Sequence, residues 1–350
     1  MTAIKGRGAP SNLPGRFEST LREVEDDGWA KNELVENRSE TTVRVEQAKS
    51  ILTRNDSPDI PFELSLNPYR GCEHGCVYCY ARPSHAYLDL SPGLDFETQL
   101  VAKPNAAKLL KESFCKPGYR PSPIALGGNT DIYQPIEREW RITREILEVL
   151  AEARHPFSFV TKSALVERDL DLLAPLAEQG LVHAFVSITT LDKELARKLE
   201  PRAATPQRRL EVIRNLSEAG IPTGVMVAPV IPALTDKDLE QILEAAAKAG
   251  ARSAGYVFLR LPHELKALFR QWLETHCPLK AEHVMSLIRQ SRDGRENDPQ
   301  FGSRMVGSGQ FAALIAQRFH IAQKRFGLDQ SLPPHRLDLF RPPTRQGTLF

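Results

Sequence analysis

Between residues 63 and 262, six short apolar runs are separated by stretches of helical period, and this alternation decides the class of fold. The runs are Glu63-Leu-Ser-Leu, Ile124-Ala-Leu, Phe157-Ser-Phe-Val, His183-Ala-Phe-Val-Ser-Ile, Thr223-Gly-Val-Met-Val and Gly255-Tyr-Val-Phe-Leu. Each is too short for a helix and reads as a buried strand. Every run but the last is followed by a helical segment. The spacing is clearest at Trp140, Thr143, Leu147 and Leu150, at Leu170, Leu173 and Ala177, and at Leu239, Ile242, Leu243 and Ala246. Strand and helix in strict alternation mean parallel βα units, so the fold is α/β. A barrel and an open doubly wound sheet both satisfy the pattern, and periodicity does not choose between them.

The flanks differ in texture. The first sixty residues are polar, with Gly6, Gly8, Pro10, Pro14 and Gly15 early and no sustained apolar period, as in an arm lying over something else or partly irregular. Beyond residue 262 the chain reads as helical to about Phe326, and Pro333, Pro334, Pro342 and Pro343 then mark an irregular tail. The expected organisation is therefore an arm (1–60), a core (61–262), a helical region (263–326) and a basic tail (327–350). An apolar fraction of 41% and a charged fraction of 26% exclude collagenous, coiled-coil and wholly disordered chains. The net charge of +2 hides a basic end: the last fifty residues hold seven Lys/Arg against two Asp/Glu, which permits a polyanionic partner without demanding one. The opening MTAIKGRGAPSN has no apolar stretch of the signal-peptide kind, and the longest nearly apolar run, 220–234, is cut by Pro222, Pro229 and Pro232. A cytoplasmic, reducing setting away from membranes is expected. Five cysteines, three of them within eight residues, are no disulfide framework and point to a metal or redox site.

That cluster is Asn67-Pro-Tyr-Arg-Gly-Cys72-Glu-His-Gly-Cys76-Val-Tyr-Cys79-Tyr, just after the first strand. Three thiolates on one short loop, Cys72, Cys76 and Cys79, can hold three irons of a cubic 4Fe–4S cluster and leave the fourth iron open for a substrate. Gly71 and Gly75 let the backbone wrap the cluster with positive φ. Zinc is the alternative, with His74, Cys115 or Cys277 as a fourth ligand, although no second Cys/His pair follows at zinc-finger spacing.

C-x3-C-x2-C with the aromatic Tyr78 before its last cysteine resembles the signature of the radical S-adenosylmethionine (SAM) superfamily. The stretches Cys76-Val-Tyr-Cys-Tyr, Gly127-Gly-Asn-Thr-Asp-Ile-Tyr-Gln-Pro-Ile-Glu137 and Thr161-Lys-Ser163 are similar to the branch of spore photoproduct lyase and its uncharacterised "DNA repair photolyase" relatives. The resemblance covers residues 60–260 and implies a partial (β/α)6 TIM-type barrel with a 4Fe–4S cluster and SAM as cofactors. It implies reductive cleavage of SAM to a 5′-deoxyadenosyl radical that abstracts hydrogen from a substrate, with a reductant such as flavodoxin or ferredoxin. In this reading Gly127, Gly128 and Asn129 meet the SAM amine, with Asn129 standing where the superfamily usually has an acid. Lys162 pairs with the SAM carboxylate, Ser187 reaches the ribose, Tyr78 flanks the cofactor, and Glu200 and Arg202 either brace the pocket or form a surface ion pair.

Asp131, Tyr133 and Gln134 form the most polar stretch at any expected strand end and are candidates for lining the substrate pocket, while Glu137 suits a helix N-terminus. His74 and His85 are expected to be structural. One departure matters: spore photoproduct lyase returns a hydrogen through a cysteine near the end of its second strand, and residues 124–137 contain none. The substrate therefore stays open, with nucleic acid a candidate. The competing reading is a nucleic-acid-associated protein with a structural or redox-sensing cluster. Finally, Gln346-Gly-Thr-Leu349-Phe350 is similar to the peptides by which bacterial repair proteins dock on the sliding clamp.

Overall fold

All six expected strands form, and they lie side by side in chain order. The computed structural model describes residues 4–17 and 40–343. Its strands are β1 (Thr42–Val45), β2 (Leu52–Arg54), β3 (Leu64–Leu66), β4 (Tyr69–Arg70), β5 (Gln99–Ala102), β6 (Ile124–Leu126), β7 (Phe157–Thr161), β8 (Val182–Ser187), β9 (Thr223–Val230) and β10 (Ser253–Phe258). Strands β3, β6, β7, β8, β9 and β10 pair parallel in that order. The sheet does not close: β10 is one edge, and the free side of β3 is taken by β2, antiparallel. With helices returning the chain between strands, this is a partial (β/α)6 barrel.

The helices follow from their apolar spacing. In Ile142–Ala153 the positions 142, 146, 147, 150 and 153 are buried, a single stripe facing β6 and β7. Pro206–Glu218 starts where Thr205 accepts from the Arg208 amide (3.3 Å) with Pro206 in the first turn. The strand interiors fill the centre with Ile124, Phe157, Phe159, Val182, Ala184 and Val225.

The arm is more ordered than its composition suggests. β1 pairs parallel with β5, and β4 joins the other edge of β5 in a separate three-stranded sheet. Neither β1 nor β2 shows as an apolar run, because their side chains are mostly exposed and only their backbones are used. The helices Leu265–His276 and Ala281–Gln290 build a second core from Leu268, Phe269, Trp272, Val284 and Met285, and this core also takes up Val77 of the cysteine loop. Across the open side of the barrel, Arg304 pairs with Asp59 in the β2–β3 loop, and the Gly302 amide donates to the same carboxylate (2.6 Å).

The tail is a strap. The Arg336 amide donates to Gly180 O (3.1 Å) and the Arg341 amide to Ala153 O (2.9 Å), while Phe340 packs among Phe114, Tyr119 and His155. The sliding-clamp residues Gln346, Leu349 and Phe350 lie outside the described residues. Among the described residues no helix is long and apolar enough to cross a membrane.

Candidate functional site

The loop after β4 carries Cys72, Cys76 and Cys79, all free, the first two buried and the third partly so. Gly71 and Gly75 take φ of 77° and 69°, as expected of a loop that folds tightly back on itself. Its shape is set from outside. Arg82, fully buried, donates to Gly75 O (3.1 Å), Cys76 O (2.8 Å) and Gly93 O (2.7 Å), and pairs with the buried Glu97. Glu97 also accepts from the Gly8 and Ala9 amides (3.0 and 2.8 Å), so the start of the chain is built into the support of this loop. Gly8 has no room for a Cβ, because Gly75 O stands in its place. From the far side, the Val77 amide donates to Leu199 O (3.0 Å), and Arg202 pairs with Glu73 (2.9 Å).

Burial pushes the Cys72 thiol well up, with Asp131 adding to the effect; it lifts Cys76 to about 12 and raises Cys79 as well. Cys72 is raised further by Cys76 and Cys79, and Cys76 by Cys79, so the three stand within electrostatic reach of one another. Three thiols whose charged form burial disfavours fit a cationic metal cluster, which would stabilise them as thiolates. Among the described residues no three Cys, His, Asp or Glu converge on a single ion. A cubane asks for something else, one thiolate at each of three corners. Zinc's proposed fourth ligands do not converge with the three cysteines on one point among the described residues. His74 Nδ1 lies 3.3 Å from Asp131, Cys115 Sγ lies against Pro343 O (3.3 Å), and Cys277 ends the helix Leu265–His276.

The C-terminal ends of β6, β7 and β8 face this loop. The Gly127 amide donates to Leu66 O (2.9 Å) at φ 81°, and Gly128 O accepts from the Tyr80 hydroxyl, keeping a second lone pair. Asn129 is exposed, with its amide on Asn67 Oδ1 (2.8 Å). Lys162, just past β7, sends Nζ to Ser187 Oγ (3.0 Å), 5.8 Å from the Tyr78 ring centroid. Tyr78 donates to Glu200, which also takes Thr189 Oγ1 (2.7 Å) and pairs with the buried Arg209. Burial works against the Glu200 carboxylate, but Arg209, Lys162 and these donors hold its pKa down to about 2. Glu200 is thus no surface ion pair; it is buried behind Tyr78.

The polar stretch after β6 turns out to support the site and not to line it. Gln134 is fully buried and clips the cysteine loop, accepting from the Glu73 amide (2.8 Å) and donating toward Gly71 O (3.3 Å). Tyr133 is fully buried in the main core, its ring 5.9 Å from Phe159. Asp131 accepts from Thr161 Oγ1 (2.8 Å), the Lys162 amide (2.8 Å) and the Tyr133 amide (2.9 Å). Burial opposes its ionisation, yet His74 and these donors carry its pKa below the usual carboxylate value. It ties the cysteine loop to β7. Glu137 is buried too, accepting from Tyr69 and from the Thr143 amide (3.0 Å), and pairing with Arg168 (2.8 Å). His85 is structural, bonded to Gln99 O (3.0 Å) and packed on Phe96. Sequence reasoning missed Arg82, Glu97 and Arg209, whose partners are backbone carbonyls or residues far along the chain.

Comparison with known proteins agrees with this arrangement. An uncharacterised protein of Mycobacterium tuberculosis is 41% identical over 232 residues, 66% of this chain and 68% of that protein. A protein named radical SAM Nα-GlyT isomerase, from Pseudomonas phage M6, is 27% identical over 53% of this chain and 37% of its own length. A structure of spore photoproduct lyase with bound AdoMet and dinucleoside spore photoproduct matches with a TM-score of 0.60 at 16% identity, covering 88% of this chain and 85% of that one, a likeness of fold. The Radical SAM superfamily matches residues 66–246, more than half of the chain and the whole stretch from the cysteine loop to the helix before β10. The chain therefore belongs to the radical SAM superfamily and is an enzyme that works with a 4Fe–4S cluster and S-adenosylmethionine.

Proposed function

We propose that Cys72, Cys76 and Cys79 hold the cluster, that the ends of β6, β7 and β8 hold SAM beside it, and that the substrate is a nucleic acid. The observation that carries the reading is the meeting of Lys162 Nζ, Ser187 Oγ and the Tyr78 ring next to Cys76 and Cys79. When bound, the cluster and SAM supply a 5′-deoxyadenosyl radical for hydrogen abstraction, on an electron from a flavodoxin- or ferredoxin-type reductant. Lys162 offers a cation for the SAM carboxylate, Gly127 and Gly128 offer carbonyls for its amine near Asn129, and Ser187 offers a hydroxyl for its ribose. Glu200 and Arg209 keep Tyr78 and the β8 end rigid, and the second core under Val77 helps to exclude water.

The nucleic-acid part is supported by the shared fold with a lyase that holds a dinucleoside photoproduct. Thiol return of a hydrogen is not part of the proposal. Cys115 lies by Pro343 and the His155 cluster, below the N-terminal end of β7, and Cys277 lies beside Lys198 and Lys280. The test is anaerobic reconstitution with iron and sulfide, then dithionite and SAM, with and without oligonucleotides. Iron-dependent formation of 5′-deoxyadenosine is expected. A protein that keeps its iron and forms none would overturn the reading.

A further inference from the structure

Arg260 stands just past the C-terminal end of β10, at the same mouth as the cysteine loop. Its guanidinium lies 5.7 Å from the ring centroid of Tyr80. Tyr80 follows Cys79, is 49% exposed, and reaches Gly128 O with its hydroxyl. Arg260 thus approaches the cluster loop from the last strand, opposite the side used by Lys162.

Its electrostatic position is unusual. Arg260 Nε is buried with no hydrogen-bond partner among the described residues, and Nη1 has a weak contact with the Met305 sulfur (3.6 Å). The acid whose field it feels, Asp59, is occupied by Arg304 and by the Gly302 amide. Behind it Arg292 is also buried, donating to Leu259 O (2.8 Å) and Ser303 O (3.0 Å). Burial lowers the pKa of Arg260, and Arg304 lowers it further, yet a guanidinium stays charged. Arg260, Arg292, Arg295 and Arg304 stand in the field of Asp59 and Asp298, so positive charge is in excess here. Arg260 as a whole is only partly buried and pairs with no carboxylate among the described residues, so its charge is open to an incoming oxyanion. A phosphodiester brings a negative charge on oxygens that accept from a guanidinium.

We propose that Arg260 is the seat of an oxyanion of the substrate, a backbone phosphodiester, and so fixes how the substrate lies against Tyr80 and the cluster loop. The identity of the oxyanion rests on the nucleic-acid reading above; the seat itself rests on the geometry of Arg260.

The test uses full-length reconstituted protein and its Arg260→Gln and Arg260→Lys variants. Binding of a fluorescent single-stranded oligonucleotide is followed by anisotropy over a range of salt, with iron content and SAM titration as controls on folding and loading. Arg260→Gln should keep its iron and its SAM affinity, bind about tenfold more weakly and lose about one unit of salt slope, with Arg260→Lys in between. Equal affinity and slope in wild type and Arg260→Gln would overturn the seat and leave the nucleic-acid reading standing. A wild type that binds no oligonucleotide would overturn that reading instead. Thermal shifts with inorganic phosphate and with glutamate then decide the seat: a phosphate shift lost in Arg260→Gln upholds it, and identical shifts in both proteins, or a preference for glutamate, overturn it.

Discussion

Burial that resists ionisation makes the three thiols of the cysteine loop useless as free nucleophiles and suited to metal. Replacing Cys72, Cys76 or Cys79 by Ala is expected to abolish stable iron binding and not merely to slow turnover, because two thiolates do not secure a cubane whose fourth corner already lacks a protein ligand. Full iron content in any one of these variants after anaerobic reconstitution would refute the assignment. Lys162→Ala should keep the iron and weaken SAM binding ten- to a hundredfold, the worth of about 1.5–3 kcal/mol for a charge-assisted contact. Titration of SAM reads this directly, and unchanged affinity would leave Lys162 as a partner of Ser187 alone. Glu97→Gln breaks a fully buried pair and frees Arg82 from its carboxylate, at a cost of about 3–5 kcal/mol. Glu264→Gln, which breaks a partly exposed pair with Arg16, should cost under about 1 kcal/mol. Urea midpoints of the two variants test the contrast. The cysteines stood out in the sequence by their local spacing, and Lys162 by its strand-end position taken together with the family resemblance. Glu97 and Arg209 were not, since nothing near them in the chain says that Gly8 or Glu200 will arrive.

At the level of elements, the barrel strands announced themselves because their residues are apolar and for the most part buried or half-buried, and β1 and β2 did not because they are paired but exposed. The stretch after β6 misled for a related reason: polar residues at a strand end suggest a pocket, but Gln134, Asp131 and Glu137 spend their polarity on neighbouring loops. The tail shows the same limit, since its prolines mark irregular backbone without telling that it is docked. Its docking has a pH signature. His155 stacks on Phe114 (4.6 Å) and bonds Tyr119 (2.8 Å), and burial lowers its pKa from 6.5 to about 4. His335, stacked on His183 at 3.9 Å, is lowered to about 4 by burial and by that neighbour. Both are neutral when folded, so their stabilisation is complete above pH 6.5 and is lost as pH falls toward 4. For His155 the gap is worth roughly 3 kcal/mol. Limited proteolysis should therefore release the tail faster at pH 4.5 than at pH 7, and His155→Phe should flatten about half of that dependence, with His335 carrying the rest. A tail equally resistant at both pH values would refute the account.

On the scale of the whole molecule, periodicity alone left a barrel and an open sheet both possible, and only the family resemblance pointed to the partial barrel. Whether β10 meets β3 depends on tilt accumulated over six strands, and no local pattern records it. What bridges the open side comes from a flank: Arg304 of the C-terminal region pairs with Asp59 in the β2–β3 loop. The cysteine loop draws its supports from residue 8 to residue 209, and this has a consequence for synthesis. The cysteines leave the ribosome early, but Leu199 and Arg202 that fix their loop, and Arg209 that holds Glu200 behind Tyr78, are made more than a hundred residues later. Until then the loop has its braces from Arg82, Glu97 and Gln134 but lacks those on the far side, so its full frame is complete only after most of the barrel is made.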